Sequence, residues 1–234
     1  MDKKQIKELC RGRSKDQKKV IRYFADDTGC LGLFGVSDQD FDLMVEEKTE
    51  PIGYKNRAIQ KLGIDEDEVQ EVPPLLLIGP KRDDSKPYPC RKLAADGHYR
   101  YTCYTVSWVF CSAEQLYVYS YEVHLDSDEK RETADEYFIK DINNITTQEE
   151  IEEFMGGQLL GCLGGQKITP EQMKELNLGC LARETRETET FHYLQIKVPG
   201  DRMLLPMKPE DVEVVESTIQ AIKSKIRETR TRGA

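Results

Sequence analysis

Residues 99–111 read YRYTCYTVSWVFC, and residues 116–125 read LYVYSYEVHL. Both runs are rich in Tyr, Val and other β-branched or aromatic residues, which suit a pleated, half-buried surface. Only Ser-Ala-Glu-Gln separates them. The pattern therefore predicts two antiparallel strands joined by a short turn at the centre of the chain.

The register of this hairpin follows from the position of its turn. Directly opposed side chains share one face of a sheet, and a slip of one residue would put a strand's side chains on the wrong face. We place the centre of the turn at Ala113 and Glu114. One face then receives the pairs Phe110–Tyr117, Trp108–Tyr119, Val106–Tyr121 and Tyr104–Val123, and the other receives Ser107–Ser120, Thr105–Glu122 and Cys103–His124. We expect the aromatic face to form the core.

The sequence before the hairpin predicts a helical N-terminal segment over residues 1–72. A helix over 1–24 is weakened at Gly12, a short helix follows the cap residue Ser37, and another ends at Gly63. Pro73-Pro74 precedes a short strand over Leu75–Ile78 that Gly79-Pro80 is expected to end. A long loop is predicted for residues 81–97.

The sequence after the hairpin completes a β-domain over residues 73–234. A third strand over 136–142 gives a β-meander, and residues 191–198 and 203–207 predict a final hairpin whose last strand is an edge because of Pro206. Between them, residues 147–190 are interpreted as an inserted loop and helix excursion, with helix starts at Thr147 and Thr169.

The most regular helical pattern lies at the C-terminus. Val212, Val215, Ile219, Ile222 and Ile226 recur at steps of three and four residues and form one apolar stripe. Acidic residues precede this stripe and basic residues follow it, which suits the helix dipole. We expect this helix to close the core formed by the aromatic face.

Composition restricts the class of protein. The chain has 234 residues, a formal net charge of -9 and no apolar run long enough for a membrane-spanning helix. Its N-terminus lacks the apolar core of a signal peptide, so we expect a cytoplasmic protein. Net negative charge disfavours binding to nucleic acid or to anionic lipid. Basic residues do concentrate within residues 3–22, so a polyanion-binding arm stays an alternative.

Cysteine and histidine spacing predicts neither disulfides nor a metal centre. The seven cysteines are widely spaced and odd in number, a pattern that favours buried thiols. Zinc sites usually contain closely spaced Cys or His pairs, and this sequence has no such pair. Cys103 and His124 meet across the predicted hairpin, but they supply only two ligands. We therefore expect no metal and no cofactor.

Residues for catalysis do not form a recognisable motif. His98, His124 and His192 lack the local context of a hydrolytic triad, so we expect no enzymatic activity. The alternative is a small-ligand binder or an enzyme with a site near the glycine-rich loop Gly156–Gly165.

The chain resembles bacterial pleckstrin-homology-like (PH-like) domains over roughly residues 74–230. The resemblance rests on the run from Val106 to Tyr119, on the segment Asp135–Ile145, and on the closing hairpin and helix. The resemblance implies an α+β fold: a bent antiparallel β-sheet or partial barrel capped by the C-terminal helix. It also implies a binding or scaffolding module. Members that bind phosphoinositides carry basic residues in the first hairpin loop, whereas this loop, Ser112-Ala-Glu-Gln, has none, so we do not expect lipid binding.

The sequence thus predicts a non-enzymatic interaction module. We expect a protein or peptide partner, or a homo-oligomer formed through sheet edges. The candidate binding residues are the polar side chains on the second face of the hairpin, namely Thr105, Ser107, Ser120, Glu122 and His124.

Overall fold

The computed structural model describes residues 3–25, 35–69, 72–82, 90–159, 167–168 and 182–232. Its helices are α1 (Lys3–Leu9), α2 (Lys15–Phe24), α3 (Asp38–Lys48), α4 (Pro51–Leu62) and α5 (Val212–Arg232). Its strands are β1 (Val72–Lys81), β2 (Arg91–Leu93), β3 (Tyr99–Tyr101), β4 (Cys103–Cys111), β5 (Gln115–His124), β6 (Lys130–Phe138), β7 (Asn144–Leu159), β8 (Lys167–Ile168), β9 (Ala182–Val198) and β10 (Asp201–Met207).

The protein has a mixed α+β fold with antiparallel sheets. One four-stranded sheet has the order β1-β4-β5-β6, a second has the order β10-β9-β7-β8, and β2 pairs with β3. These sheets are open, so the described residues form no closed barrel. The chain divides into two compact units, Met1–Thr147 with Tyr193–Ala234, and Gln148–His192.

The central hairpin has the predicted register. Trp108 lies opposite Tyr119, Ser107 opposite Ser120, and Cys103 opposite His124. The strand predicted from Tyr99 is interrupted at Thr102, whose backbone N–H donates to the carbonyl of Cys90 at 2.9 Å. The observed pairing confirms the predicted register. A short turn and two strands that each have one aromatic face allow only one pairing that keeps both faces consistent.

The prediction that the last helix closes on the aromatic face is wrong. Val215, Ile219, Ile222 and Ile226 of α5 are buried as predicted. They belong to a core that includes Val109, Cys111, Leu116 and Val118, which alternate with the aromatic residues and so lie on the opposite face. The apolar stripe indicates that α5 needs a partner, but both faces near the turn are apolar, so the stripe does not select between them.

Helix α4 lies on the aromatic face instead. The ring of Tyr54 lies 5.0 Å from that of Tyr121, and the Arg57 guanidinium lies 5.2 Å from the Tyr121 ring centroid. Arg57 also donates to Glu132 at 2.7 and 2.9 Å, and Glu132 accepts from the Tyr119 hydroxyl at 2.9 Å. The Arg57 hydrogen bond is the main cause that lowers the pKa of Glu132 to about 2. An ion-paired network therefore attaches the N-terminal helices to the sheet.

The N-terminal helices form largely where the sequence places them. The predicted weak point becomes a break, since Gly12 has a φ of 74° and Ser14 and Gln17 form a capping box that starts α2. Ser37 caps α3, and Gly63 ends α4 in the left-handed conformation. Arg100 joins β3 to α3 by donating to Asp42 at 3.0 and 2.7 Å.

Strand β1 continues past the point where Gly79-Pro80 was predicted to end it. It reaches Lys81, which lies opposite Cys103. Pro80 is tolerated because β1 is the first strand in the order of its sheet. Gly79 also permits contact with β10: a Cβ atom there would lie 2.4 Å from the carbonyl carbon of Pro206. Part of the predicted 81–97 loop is strand β2.

The second unit, Gln148–His192, covers most of the segment predicted as an excursion. Thr147 lies in the sixteen-residue strand β7, so the helix predicted to start there is wrong. Pairing within the sheet outweighs the local capping pattern of this segment, which includes the β-branched residues Ile145 and Thr146. In this unit Gly157 pairs with Ile168. The predicted helix after Thr169 lies outside the described residues.

Candidate functional site

The second face of the hairpin changes character along its length. Near the turn it carries Val109 and Val118, which are buried in the core beneath α5. Towards the open end it carries the predicted polar residues, starting with Ser107 and Ser120, whose hydroxyl oxygens lie 2.8 Å apart. Strand alternation places all five candidate residues on this one face. The open end is therefore the part of the face where a ligand can meet polar groups.

The candidate residues differ in accessibility. Ser107 and Thr105 are buried, whereas Ser120 and Glu122 are half-buried and line an open cleft of about 370 Å³. The His124 side chain is only 7% exposed and lines a neighbouring cleft. The structure thus brings Thr105, Ser120 and Glu122 together at the first cleft, but it places Ser107 behind them and His124 to one side.

Two kinds of wall form the first cleft. The floor is the hairpin face with Lys81 of β1 and Arg131 and Thr133 of β6, and the opposite wall is apolar. The apolar wall comes from Met203, Leu204, Leu205 and Pro206 of β10 and from Tyr193 of β9. The close approach of β10 to Gly79 keeps this wall against the hairpin face. The cleft is therefore amphipathic, polar on one side and apolar on the other.

Glu122 is the centre of the polar floor. Its Oε1 atom accepts a short ion-paired hydrogen bond from Lys81 Nζ and lies 3.7 Å from Arg131 Nε. Lys81 and Glu122 are mostly shielded from solvent, whereas the Arg131 side chain is 72% exposed. A carboxylate held by two cations leaves positive charge in excess at this floor.

The other carboxylate oxygen faces a histidine. Oε2 of Glu122 lies 3.6 Å from His124 Nε2, and the same nitrogen lies 3.8 Å from Cys103 Sγ. His124 Nδ1 is buried and has no hydrogen-bond partner among the residues that the structure describes, and Glu129 Oε2 lies 4.0 Å away from it. The predicted meeting of Cys103 and His124 is therefore confirmed, and Glu122 joins them.

Sequence reasoning missed the cations and the apolar wall. The predicted end of the first strand at Gly79-Pro80 leaves Lys81 in a loop, and the predicted third strand over residues 136–142 does not include Arg131, whereas both residues lie in strands. The wall comes from a strand distant in sequence, and no local pattern predicts its position. One signal was available in the sequence: the predicted register already places Glu122 on the face of Cys103 and His124, where it supplies a third possible ligand.

The alternative site near Gly156–Gly165 falls largely outside the described residues. Strand β7 ends at Leu159, and residues 160–166 are not described. That alternative stays a prediction.

Comparison of the chain with protein-family models, with curated proteins and with solved structures found no match.

None of the helices in the described part of the chain has both the length and the apolar character needed to cross a membrane.

Proposed function

We propose that this chain is a cytoplasmic, non-enzymatic binding module of the PH-like type, and that it binds a protein or peptide partner in the cleft between the hairpin face and β10. The observation that carries the proposal is the amphipathic cleft of about 370 Å³ at the open end of the central hairpin. Clefts of this size, with an apolar lining and a few placed polar groups, are typical of ligand sites.

Charge at the cleft favours an acidic segment as the ligand. Lys81 and Arg131 both interact with the carboxylate of Glu122, so one positive charge is left in excess at the cleft. The whole chain, in contrast, has a net charge of -9. An acidic side chain of a partner can interact with Arg131, while an apolar neighbour contacts Met203 and Leu204. Exposed cations of this kind steer association and set specificity more than they add affinity.

Self-association through a sheet edge is less favoured than peptide binding. Strand β6 is the last in its sheet order, and unpaired edges are templates for a second chain. However, β6 reads KRETADEYF, so five of its nine residues are charged. Charged side chains on an edge strand oppose pairing between copies.

The likeness to PH-like domains is part of the proposal. It is supported by the antiparallel meander, the closing hairpin and the C-terminal helix packed on one face of the sheet. The open sheets differ from the partial barrel that the likeness implies. The placement of the cleft away from the Ser112–Gln115 turn is consistent with peptide rather than lipid recognition.

Selection of peptides from a phage-displayed random library on the intact chain tests the proposal. We expect enriched peptides to contain acidic residues next to apolar ones. Their affinity, measured by fluorescence anisotropy, should fall about tenfold for Arg131→Glu and should weaken with added salt. Lys140→Glu, which makes the same charge change at an exposed position outside the cleft, should bind as the wild type does. Failure to enrich any binder, or equal losses in both variants, would overturn the proposal.

A further inference from the structure

A cluster of three metal-ligating side chains lies beside the peptide cleft, at the open end of the hairpin. Cys103 is the first residue of β4, His124 is the last residue of β5, and Glu122 precedes His124 by two positions. One donor atom from each lies within 4.8 Å of the other two. The pairing of Cys103 with His124 fixes this arrangement through the backbone of the hairpin rather than through mobile loops.

We propose that Cys103, Glu122 and His124 bind a divalent transition-metal ion of the zinc type. Thiolate, imidazole and carboxylate are the three side-chain ligands that zinc uses, with bond lengths of about 2.3 Å to sulfur and about 2.0 Å to nitrogen or oxygen. In a tetrahedron these bonds separate sulfur from nitrogen by about 3.5 Å and nitrogen from oxygen by about 3.3 Å. The corresponding distances here are 3.8 and 3.6 Å. The two distances to Nε2 therefore need to contract by only a few tenths of an ångström, and the third, between the Cys103 sulfur and the Glu122 carboxylate, is within 4.8 Å.

The surroundings of His124 favour metal binding through Nε2. This nitrogen faces both Cys103 Sγ and Glu122 Oε2. When Nε2 binds a metal, the ring proton resides on Nδ1, which is buried and has no hydrogen-bond partner in the described part of the chain. Glu129 Oε2 lies 4.0 Å from Nδ1, and a small movement of the exposed Glu129 side chain lets it accept a hydrogen bond from that N–H group. Carboxylates commonly orient metal-binding histidines in this way.

The other oxygen of Glu122 is held in place as well. Lys81 and Arg131 both face Oε1, which leaves Oε2 directed at His124. Cations on the outer oxygen orient the ligand. They also repel any dication, and bonds to sulfur and nitrogen can offset that repulsion, whereas Ca²⁺ and Mg²⁺ bind through oxygen ligands. The site should therefore prefer ions that bond well to sulfur and nitrogen.

An entry path and a fourth ligand position lie on the same side. Cys103 is fully buried, but Glu122 and His124 line an open cleft of about 410 Å³. Water from this cleft can complete a tetrahedron. The proposed ion would thus be held by three protein ligands with one position accessible to solvent.

Cobalt binding to the intact chain, after treatment with a chelator, tests the proposal. We expect one Co²⁺ per chain, the visible absorption of a tetrahedral cobalt site and a near-ultraviolet thiolate-to-cobalt band. Zn²⁺ should displace the cobalt, whereas Ca²⁺ and Mg²⁺ should not. A cobalt complex without the thiolate band, or no cobalt binding at all, would overturn the proposal. Because this test uses the unmodified chain, its outcome does not depend on the folding of any variant.

Variants then assign the ligands. Cys103→Ser should abolish the thiolate band, and Glu122→Gln and His124→Gln should each weaken cobalt binding by about tenfold or more. Cys111→Ser is the matched control, because Cys111 is also buried on β4 and on the same face but lies near the turn. Circular dichroism checks that each variant is folded. Retention of the band in folded Cys103→Ser, or its loss in folded Cys111→Ser, would contradict the assignment. Leu204→Ala, which removes part of the apolar wall of the peptide cleft and lies outside the metal cluster, should weaken the proposed peptide binding but keep the thiolate band, so the two proposals fail separately.

Discussion

Substitution of Gly79 by Ala tests how closely β1 and β10 approach each other. A Cβ atom on Gly79 would lie 2.4 Å from the carbonyl carbon of Pro206, 2.5 Å from the amide nitrogen of Met207 and 2.6 Å from the carbonyl oxygen of Pro206. Side-chain carbons essentially never approach other heavy atoms closer than 3.0 Å, so the strands must separate. All three obstructing atoms belong to the backbone, and no rotamer change can relieve the contact.

The expected cost follows from that geometry. Overpacking a core typically destabilises a protein by about 1–3 kcal/mol, and a clash with three backbone atoms of β10 places Gly79→Ala at about 3 kcal/mol. For a chain of this length about 1 kcal/mol lowers the melting temperature by about 2–4 °C. We therefore expect Gly79→Ala to melt about 6–12 °C below the wild type, measured by circular dichroism.

Gly53→Ala is the matched control for this substitution. Gly53 lies in α4, and its added Cβ would meet only Glu50 Oε2 at 3.7 Å, an ordinary contact distance. Ala is favoured over Gly within helices by about 1 kcal/mol, so Gly53→Ala should melt at or above the wild-type temperature. Equal melting temperatures for the two variants would refute the close approach of β1 and β10, and with it the position of the apolar cleft wall.

Three further predictions concern the core, the helix attachment and the polar face. Ile222→Ala should lower the free energy of unfolding by about 2–5 kcal/mol in chemical denaturation, because Ile222 is buried beneath the sheet. Val214→Ala, at an exposed position of the same helix, should change this free energy by less than about 0.5 kcal/mol. Similar losses of stability in the two variants would contradict the packing of α5. The pKa of Glu132 is lowered from 4.5 to about 2 in the folded chain, so its stabilising effect is present above pH 4.5 and is lost as the pH falls towards 2. The difference in melting temperature between wild type and Glu132→Gln should therefore shrink over that range, and a constant difference would exclude the ion-paired network as its source. Ser107→Ala removes the buried partner of Ser120 and should cost about 1 kcal/mol, against no measurable change for exposed Ser224→Ala; equal denaturation midpoints would refute that hydrogen bond.

Local pattern predicts those parts of this fold in which neighbouring residues decide the outcome. The register of the hairpin depends on a short turn and on strand alternation, both of which are visible in sequence. The burial of Ile219 and Ile222 depends on a helical period, and the start of α3 depends on one serine cap. In each case the interactions that specify the structure lie within a few residues.

Other features depend on partners that are distant in sequence. Which face receives α5 is decided by competition with α4, because Tyr54 and Arg57 occupy the aromatic face. Thr147 lies in a strand because β9 is available to pair in the sheet, although its own neighbours resemble a helix start. The polar residues of the site were found from alternation alone, but the apolar wall that makes them a cleft comes from β10.

Hydrogen–deuterium exchange of the intact chain with and without a selected acidic peptide measures most directly where a partner binds. Peptide binding in the cleft predicts slower exchange in β10 around Met203–Pro206 and at the open ends of β4 and β5 around Thr105 and Glu122, with no change in α4. Protection confined to the β6 edge or to the N-terminal helices, with unchanged exchange in β10, would contradict the proposed binding site.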